Sequence, residues 1–290
     1  MWVAIVLSFL CSLAATRRLS LQAGSLFRQA VRKMATDQGV DRIDIDAIDA
    51  HEVYSKAEEY WAQAPRDNDG MLGGFAELHK PDLKDSRALL TLLHKRGDIR
   101  DNAYALDCGA GIGRVTKHLL LPIFKKVDMV ELVQELVDKS KDYIGPHPSM
   151  GERFVSGLQD FTPETGKYDL IWIQWVSGHL TNSDFVAFFK RCQDGLRPNG
   201  IICLKDNIAS GSEAVFDSED HSWTRPELLV DRLMDEAGLR IVTKQPQMGF
   251  PKGMYKVLMY AVKPKPSVPE KRKKEEESPK ESKANLPTLI

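Results

Sequence analysis

Cysteine is scarce in this chain, net charge is nearly absent, and no internal repeat is visible. The four cysteines, Cys11, Cys108, Cys192 and Cys203, are scattered through 290 residues with no Cys-x-x-Cys pair. Neither a disulfide framework nor a zinc site follows, and the pattern fits a reducing compartment. The formal net charge is -1, so no global excess of positive charge points to nucleic acid. Long apolar runs are also missing. Only residues 1–15 are nearly all apolar, which is short for a membrane span and lacks a leading basic region. Acids are absent from residues 1–36, where Arg17, Arg18, Arg28, Arg32 and Lys33 gather. This extension leaves three readings open: a membrane anchor, a mitochondrial presequence, or an upstream start with Met34 as the working initiator.

At the other end, residues 263–290 are rich in Pro, Lys, Glu and Ser. Such a composition cannot bury enough apolar surface to fold, so a disordered charged tail is expected. Its Lys271-Arg-Lys-Lys274 run reads either as a solvated stretch or as a nuclear address.

Residues 37–262 remain, enough for one domain with a sizeable core. Apolar spacing predicts helices over 51–62 and 86–95. Strand and helix then alternate: strand 104–107, helix 113–120, strand 127–131, helix 133–142, strands 153–155 and 168–173, helix 182–194, strand 200–205 and helix 226–237. Strands 239–245 and 254–262 close the pattern. Alternation predicts an α/β fold with a mostly parallel, Rossmann-like sheet of seven strands covered on both faces. The last two strands have no helix between them, which predicts an antiparallel hairpin at one sheet edge. The N-terminal helices stand outside this alternation.

What the chain does contain is a glycine turn at a strand end. Ala105-Leu-Asp-Cys-Gly-Ala-Gly-Ile-Gly-Arg114 runs from a short apolar strand through Gly109, Gly111 and Gly113 into a helical pattern. Such a turn lets a nucleotide-like cofactor approach the backbone. A dinucleotide fingerprint, Gly-x-Gly-x-x-Gly, would place its third glycine where Arg114 stands. A guanidinium there suits a carboxylate by bidentate pairing, and S-adenosylmethionine carries an α-carboxylate but no phosphate. Glu131 ends the next strand about 20 residues on, where an acid reaches ribose hydroxyls. Without a ligand, the same turn would simply join a strand to a helix.

In open α/β sheets, ligands bind beyond the carboxyl ends of the strands. Gln174-Trp-Val-Ser-Gly-His179 leaves one such end, and Asp206-Asn207 leaves another, followed by a Gly/Ser-rich loop with Asp217-Ser-Glu-Asp220. Taken singly, Trp175 reads as a core cap, His179 as a core histidine, Asn207 as a turn residue and the acids as a solvated loop. Their placement on one rim favours a site.

Over residues 50–262 the chain resembles the protein α-N-terminal methyltransferases. The resemblance rests on Asp69-Gly-Met-Leu-Gly-Gly-Phe75, the turn at 109–114, Gly157-Leu-Gln-Asp-Phe161, Ile171-Trp-Ile-Gln-Trp-Val-Ser-Gly-His-Leu180, Arg197-Pro-Asn-Gly-Ile-Ile202 and Lys205-Asp-Asn207. It implies a transferase that uses S-adenosylmethionine to methylate the free amine of proteins beginning Xaa-Pro-Lys. Gly109 and Arg114 would hold the cofactor, Arg114 on its carboxylate. Glu131 replaces the family's usual Asp at the ribose, and Leu158, Gln159 and Gln174 would line the adenine and methionine ends. Trp61, Leu72, Gly73, Trp175, Asn207, Ser222 and Tyr255 would form the peptide channel, with Asp217 facing the substrate lysine. His179 and Asp220 would flank the reacting amine. The stretch 210–225 departs most from the family pattern, although Asp217, Asp220 and Ser222 keep its spacing. The expected partners are proteins with exposed Xaa-Pro-Lys N-termini. Neither nucleic acid nor a membrane is expected as a partner of this region, and oligomeric state is left open. Nucleus and cytoplasm are the expected location if the upstream-start reading of residues 1–33 holds, and mitochondrion or membrane otherwise. A small-amine methyltransferase and a non-catalytic adaptor for N-terminal tails are the competing readings. The acidic loop argues against the first, and the presence of His179 and Asp220 argues against the second.

Overall fold

The computed structural model describes Ile45 and residues 49–266. The N-terminal extension, residues 267–290 of the charged tail and its basic run lie outside the described residues; Lys263 and Pro264, expected in the disordered tail, instead complete the last strand by pairing with Arg240 and Leu239. Two helices lead in. Helix α1, Ala50–Gln63, is capped by Asp49, whose carboxylate accepts from the amide of His51, satisfying an orphan donor of the first turn. Helix α2 runs His79–Lys95, seven residues longer at its start than the apolar period predicts. Pro81 sits in its first turn, where a missing N–H costs nothing, and the charged residues there conceal the helical period.

The sheet then builds from β1 (Tyr104–Cys108), β2 (Lys126–Glu131), β3 (Met150–Val155), β4 (Tyr168–Gln174), β5 (Leu196–Ala209), β8 (Leu239–Pro246) and β9 (Lys256–Pro264). Their order is β3-β2-β1-β4-β5-β9-β8. The pairs from β3 to β5 are parallel, and β9 runs antiparallel to both β5 and β8. The mostly parallel sheet with its antiparallel hairpin is therefore as expected. The strand count is not: among the described residues nine strands form instead of seven. The extra pair is a hairpin of β6 (Val215–Asp217) and β7 (Ser222–Pro226). It lies where the sequence reads as an acidic loop, because its few apolar residues stand among acids and other polar residues. β7 joins the far end of β5 at Ile208 and Ala209, so β5 carries Asp206 and Asn207 past the sheet rim into the hairpin.

Helices α3 (Gln134–Ile144), α4 (Asn182–Gly195) and α5 (Glu227–Glu236) complete the domain. After the glycine turn, the expected helix forms over 114–120, and its last five residues, Thr116–Leu120, take a π-helical turn. α4 shows why its sequence is helical. Thr181 caps it by accepting from the amide of Asp184, and Phe185, Phe188, Phe189 and Cys192 form one buried face at helical spacing. β4 is buried throughout. Its Ile171 and Ile173 pack on one face of the sheet with the α4 phenylalanines, while Leu170 and Trp172 pack on the other with Leu89, Leu90 and Leu93 of α2. Each such large side chain contributes about 1.5–3 kcal/mol on burial, which makes the strand ends above this core a firm platform.

Candidate active site

Strand register sets the cofactor side. Cys108 pairs with Val130 and Ile173, and Gln174 pairs with Lys205, so Gly109, Glu131, Gln174 and Lys205 emerge at one level of the rim. Two glycines of the turn are obligatory for conformation, and Gly109 for space as well. Gly109 has φ +67°, and a Cβ there would lie 2.5 Å from Val176 Cβ; at Gly111, with φ +55°, it would lie 2.5 Å from Met71 Sδ. Any other residue would strain the backbone at both positions, and at Gly109 it would also clash with Val176. The amides of Gly109 and Ala110 donate to Val130 O, and that of Gly111 donates to Glu131 Oε2 at 2.9 Å. Glu131 Oε1 accepts from the amide of Val133 at 3.1 Å. Burial pushes the Glu131 carboxyl upward, and these backbone amides pull against it. Behind the turn, burial drives Asp107 up to about 7, although the Thr116 hydroxyl donates to it at 2.6 Å.

The resulting cavity is lined by Gly109, Arg114, Glu131, Leu158, Gln159 and Gln174, which are all the residues expected to hold the cofactor. Its lid is α1. Tyr54 and Trp61 reach into it, and Tyr54 Oη donates to Asp184 at the start of α4. Burial, reinforced by Asp184, raises that phenol to about 12, so it stays a donor.

Arg114 is buried. Its Nη1 donates to Asp82 Oδ2 at 2.7 Å. Asp82, buried at the start of α2, also accepts from Gln174 Nε2 at 2.8 Å and from Lys205 Nζ at 2.5 Å, both on Oδ1. Burial alone would raise its carboxyl, but Arg114 and Lys205 overrule this and hold it below the usual range. Lys205 is fully buried on β5. Its ammonium also donates to Asp82 O, Ser86 Oγ and Gln247 Oε1 at 3.1, 2.9 and 2.6 Å. Burial presses its pKa down and Asp82 opposes. With four acceptors around one ammonium, the charged form is the one this geometry holds.

A second cavity opens next door. It is lined by Leu72, Gly73, Asn207, Asp220, Ser222 and Tyr255, with Phe75, Phe250 and Met254 as apolar walls. Trp61, Met71, Trp175 and His179 line both cavities and so form the passage between them. Trp61 Nε1 donates to His179 Nε2 at 3.0 Å. That bond fixes the neutral tautomer with the proton on Nδ1, facing His221 O at 3.4 Å. Trp175 holds a left-handed φ of +54°, a strain of about 1–3 kcal/mol for such a residue and a mark of functional segments. Asp220 accepts from Ser222 Oγ at 2.7 Å. Deeper in the same wall, burial raises the Asp206 carboxyl, opposed by the Ser177 hydroxyl at 2.6 Å. Asp217 stands apart. It accepts from the amide of Glu219 on the hairpin and lines neither cavity.

Several residues of this rim carry no sequence signal. Asp82, Gln247 and Phe250 belong to no chemical motif, and Met71 and Lys205 each sit inside one without a role. Asp82 and Lys205 are 123 residues apart, beyond the reach of any local pattern.

With the geometry in place, comparison with known proteins settles the family. Residues 49–263 match the model of the AdoMet-dependent proline di-methyltransferases. The chain belongs to this family. It is 55% identical over 213 residues to alpha N-terminal protein methyltransferase 1 of Caenorhabditis elegans, covering 73% of this chain and 91% of that protein. It is 47% identical to N-terminal Xaa-Pro-Lys N-methyltransferase 1 of Xenopus tropicalis, covering 74% and 97%. Among solved structures, a SAM-dependent methyltransferase of Leishmania major superposes with a TM-score of 0.69 at 37% identity, covering 73% of this chain and 83% of that one. Phosphoethanolamine N-methyltransferase 1 of Haemonchus contortus, with a TM-score of 0.58 at 15% identity, covers 76% and 50% and shares the fold. The chain is thus a methyltransferase, and its cofactor is S-adenosylmethionine.

Proposed function

We propose that the chain methylates the free α-amine of proteins whose N-terminus reads Xaa-Pro-Lys. The carrying observation is the junction of two cavities at Trp61, Met71, Trp175 and His179: one cavity floored by a glycine turn and a buried guanidinium, the other open enough for a chain end. The first fits the cofactor. Arg114 takes the carboxylate, Glu131 the ribose hydroxyls, the turn at Gly109 gives close backbone approach, and Leu158, Gln159 and Gln174 flank the remainder. When bound, S-adenosylmethionine supplies a methyl group on a positively charged sulfur.

The residues of this chain then have modest work to do. A free α-amine has a pKa of about 8, so roughly a tenth is neutral at pH 7 and deprotonation costs only about 1 kcal/mol. A positioned acceptor is enough. His179 Nε2 already accepts from Trp61, so its lone pair is engaged. Asp220, whose partner is a hydroxyl that rotates freely, takes the proton that the amine sheds, while His179 aims the amine. Most of the acceleration comes from alignment across the passage. The Trp61 and Trp175 rings suit a methylated ammonium, which is drawn to aromatic faces. Trp175 and Asn207 with Leu72 and Gly73 hold the proline, Ser222 and Tyr255 the backbone, and Asp217 at the outer hairpin meets the lysine. That last role fits its place outside the cavities, since the third residue of a bound chain end lies farther out.

The test is direct. The full chain is incubated with S-adenosylmethionine and a Ser-Pro-Lys-Arg peptide, and the product is weighed. Methyl groups on the α-amine are expected, and none when that amine is acetylated. No gain on the free peptide, or a gain only on the lysine side chain, overturns the assignment.

A further inference from the structure

Lys205 links the two cavities without lining either. Inward, its ammonium shares Asp82 with Arg114. One carboxylate there is hydrogen-bonded to two buried cations, so a ligand carboxylate on Arg114 would compete with Asp82 for the guanidinium. Outward, Lys205 donates to Gln247 Oε1 at 2.6 Å. Gln247 follows β8 and turns its other end to α2, donating to Asp85 Oδ2 at 2.8 Å and Pro81 O at 3.1 Å. Asp85 Oδ2 accepts in turn from the amide of Met248 at 2.6 Å. The segment so anchored supplies Phe250, Met254 and Tyr255 to the wall of the second cavity. Phe250 lies 6.3 Å from the Trp175 ring, and Lys205 and Arg114 lie 5.9 and 5.8 Å from the same ring.

We infer that Lys205 is a positioning residue that couples the cofactor carboxylate subsite to the Gln247–Tyr255 wall of the peptide cavity, so that each ligand strengthens the binding of the other. The inference rests on the ligand placement proposed above. A carboxylate on Arg114 draws that guanidinium inward and weakens its hold on Asp82. Asp82 then turns more fully to Lys205, which fixes Gln247 and the wall beyond it. A buried polar network with every member bonded responds as a unit to one new charge. Linkage makes the effect reciprocal.

Calorimetry tests this without turnover, using the full chain and the Ser-Pro-Lys-Arg peptide. Peptide affinity is measured alone, with saturating S-adenosylhomocysteine, and with 5′-methylthioadenosine, which keeps the nucleoside but lacks the carboxylate. In the wild type, S-adenosylhomocysteine tightens peptide binding by about 5-fold or more, and methylthioadenosine leaves it within about 2-fold. Gln247→Met keeps the bulk of a half-buried side chain and removes both of its hydrogen-bonding ends. It reduces the tightening to within about 2-fold, and S-adenosylhomocysteine binds alone as well as before. Lys205→Met loses the coupling and also weakens S-adenosylhomocysteine. Full coupling in Gln247→Met, equal coupling by methylthioadenosine, or no coupling in the wild type overturns the inference. A wild type that methylates the peptide while Gln247→Met keeps full coupling overturns the inference alone. A wild type that binds no peptide overturns the functional reading and the inference with it.

Discussion

The two cavities share four residues but are built differently. The cofactor side is made of strand ends and the turns that leave them, and the contacts of its glycine turn are short in sequence. Gly111 and Glu131, for example, are 20 residues apart. The peptide side is assembled from the 3-10 turn Gly70–Leu72, the β6–β7 hairpin, the end of β5 and the loop ahead of β9, with Trp61 reaching His179 across 118 residues. A cofactor common to many enzymes is met by a platform that the sheet fixes. On the function proposed above, the substrate is met by additions to the sheet, which would put specificity in the less regular part of the fold.

The sharpest way to break this comparison is to separate chemistry from cofactor binding. Asp220→Asn keeps the shape of the peptide cavity and removes the proton acceptor. It is expected to lower kcat by about 100-fold or more while S-adenosylhomocysteine affinity holds within about 2-fold, read by initial rates and calorimetry. Equal losses in both would place Asp220 in the platform instead. The converse variant is Arg114→Met. A charge-assisted hydrogen bond contributes about 1.5–3 kcal/mol, so cofactor affinity should fall by roughly 10- to 100-fold. Peptide binding without cofactor should change far less.

The same division governs what could be read in advance. The glycine turn, Glu131 and the amphipathic α4 announce themselves because their signals are local: φ above zero, a strand end, an apolar period. Residues expected on the peptide side line their cavity too, apart from Asp217; the strand-end rule points to Trp175, His179, Asn207 and Asp220, whereas Trp61, Leu72, Gly73, Ser222 and Tyr255 come from the resemblance alone. β6 and β7 are hidden because their few apolar residues, Val215, Phe216 and Trp223, stand among acids and other polar residues with no apolar run to mark a strand. Asp82 and Lys205 were silent for a different reason. Hydropathy places a lysine and an aspartate at the surface, and only tertiary pairing makes both of them core residues.

A pH experiment sharpens the picture of the platform. Asp107 titrates near 7 in the folded protein because burial disfavours its charge, whereas in the unfolded chain it titrates near about 3.9. The folded state therefore binds the extra proton between these values. Its contribution to stability is complete below the unfolded pKa and is lost as pH rises through the folded one. Over about pH 5 to 7 the ligand-free protein should lose about 2 kcal/mol from this group. Urea midpoints should fall accordingly, and Asp107→Asn should remove that part of the slope. An unchanged slope would show that Asp107 is charged in the fold.

The smallest expected effect probes the passage where the two regions meet. Trp61→Phe keeps an aromatic wall but removes the indole N–H that His179 Nε2 accepts. A neutral hydrogen bond contributes about 0.5–1.5 kcal/mol, so kcat/KM for the peptide should drop by roughly 2- to 10-fold. A kcat/KM that holds within about 2-fold would show that the indole bond to Nε2 does not help to place the histidine.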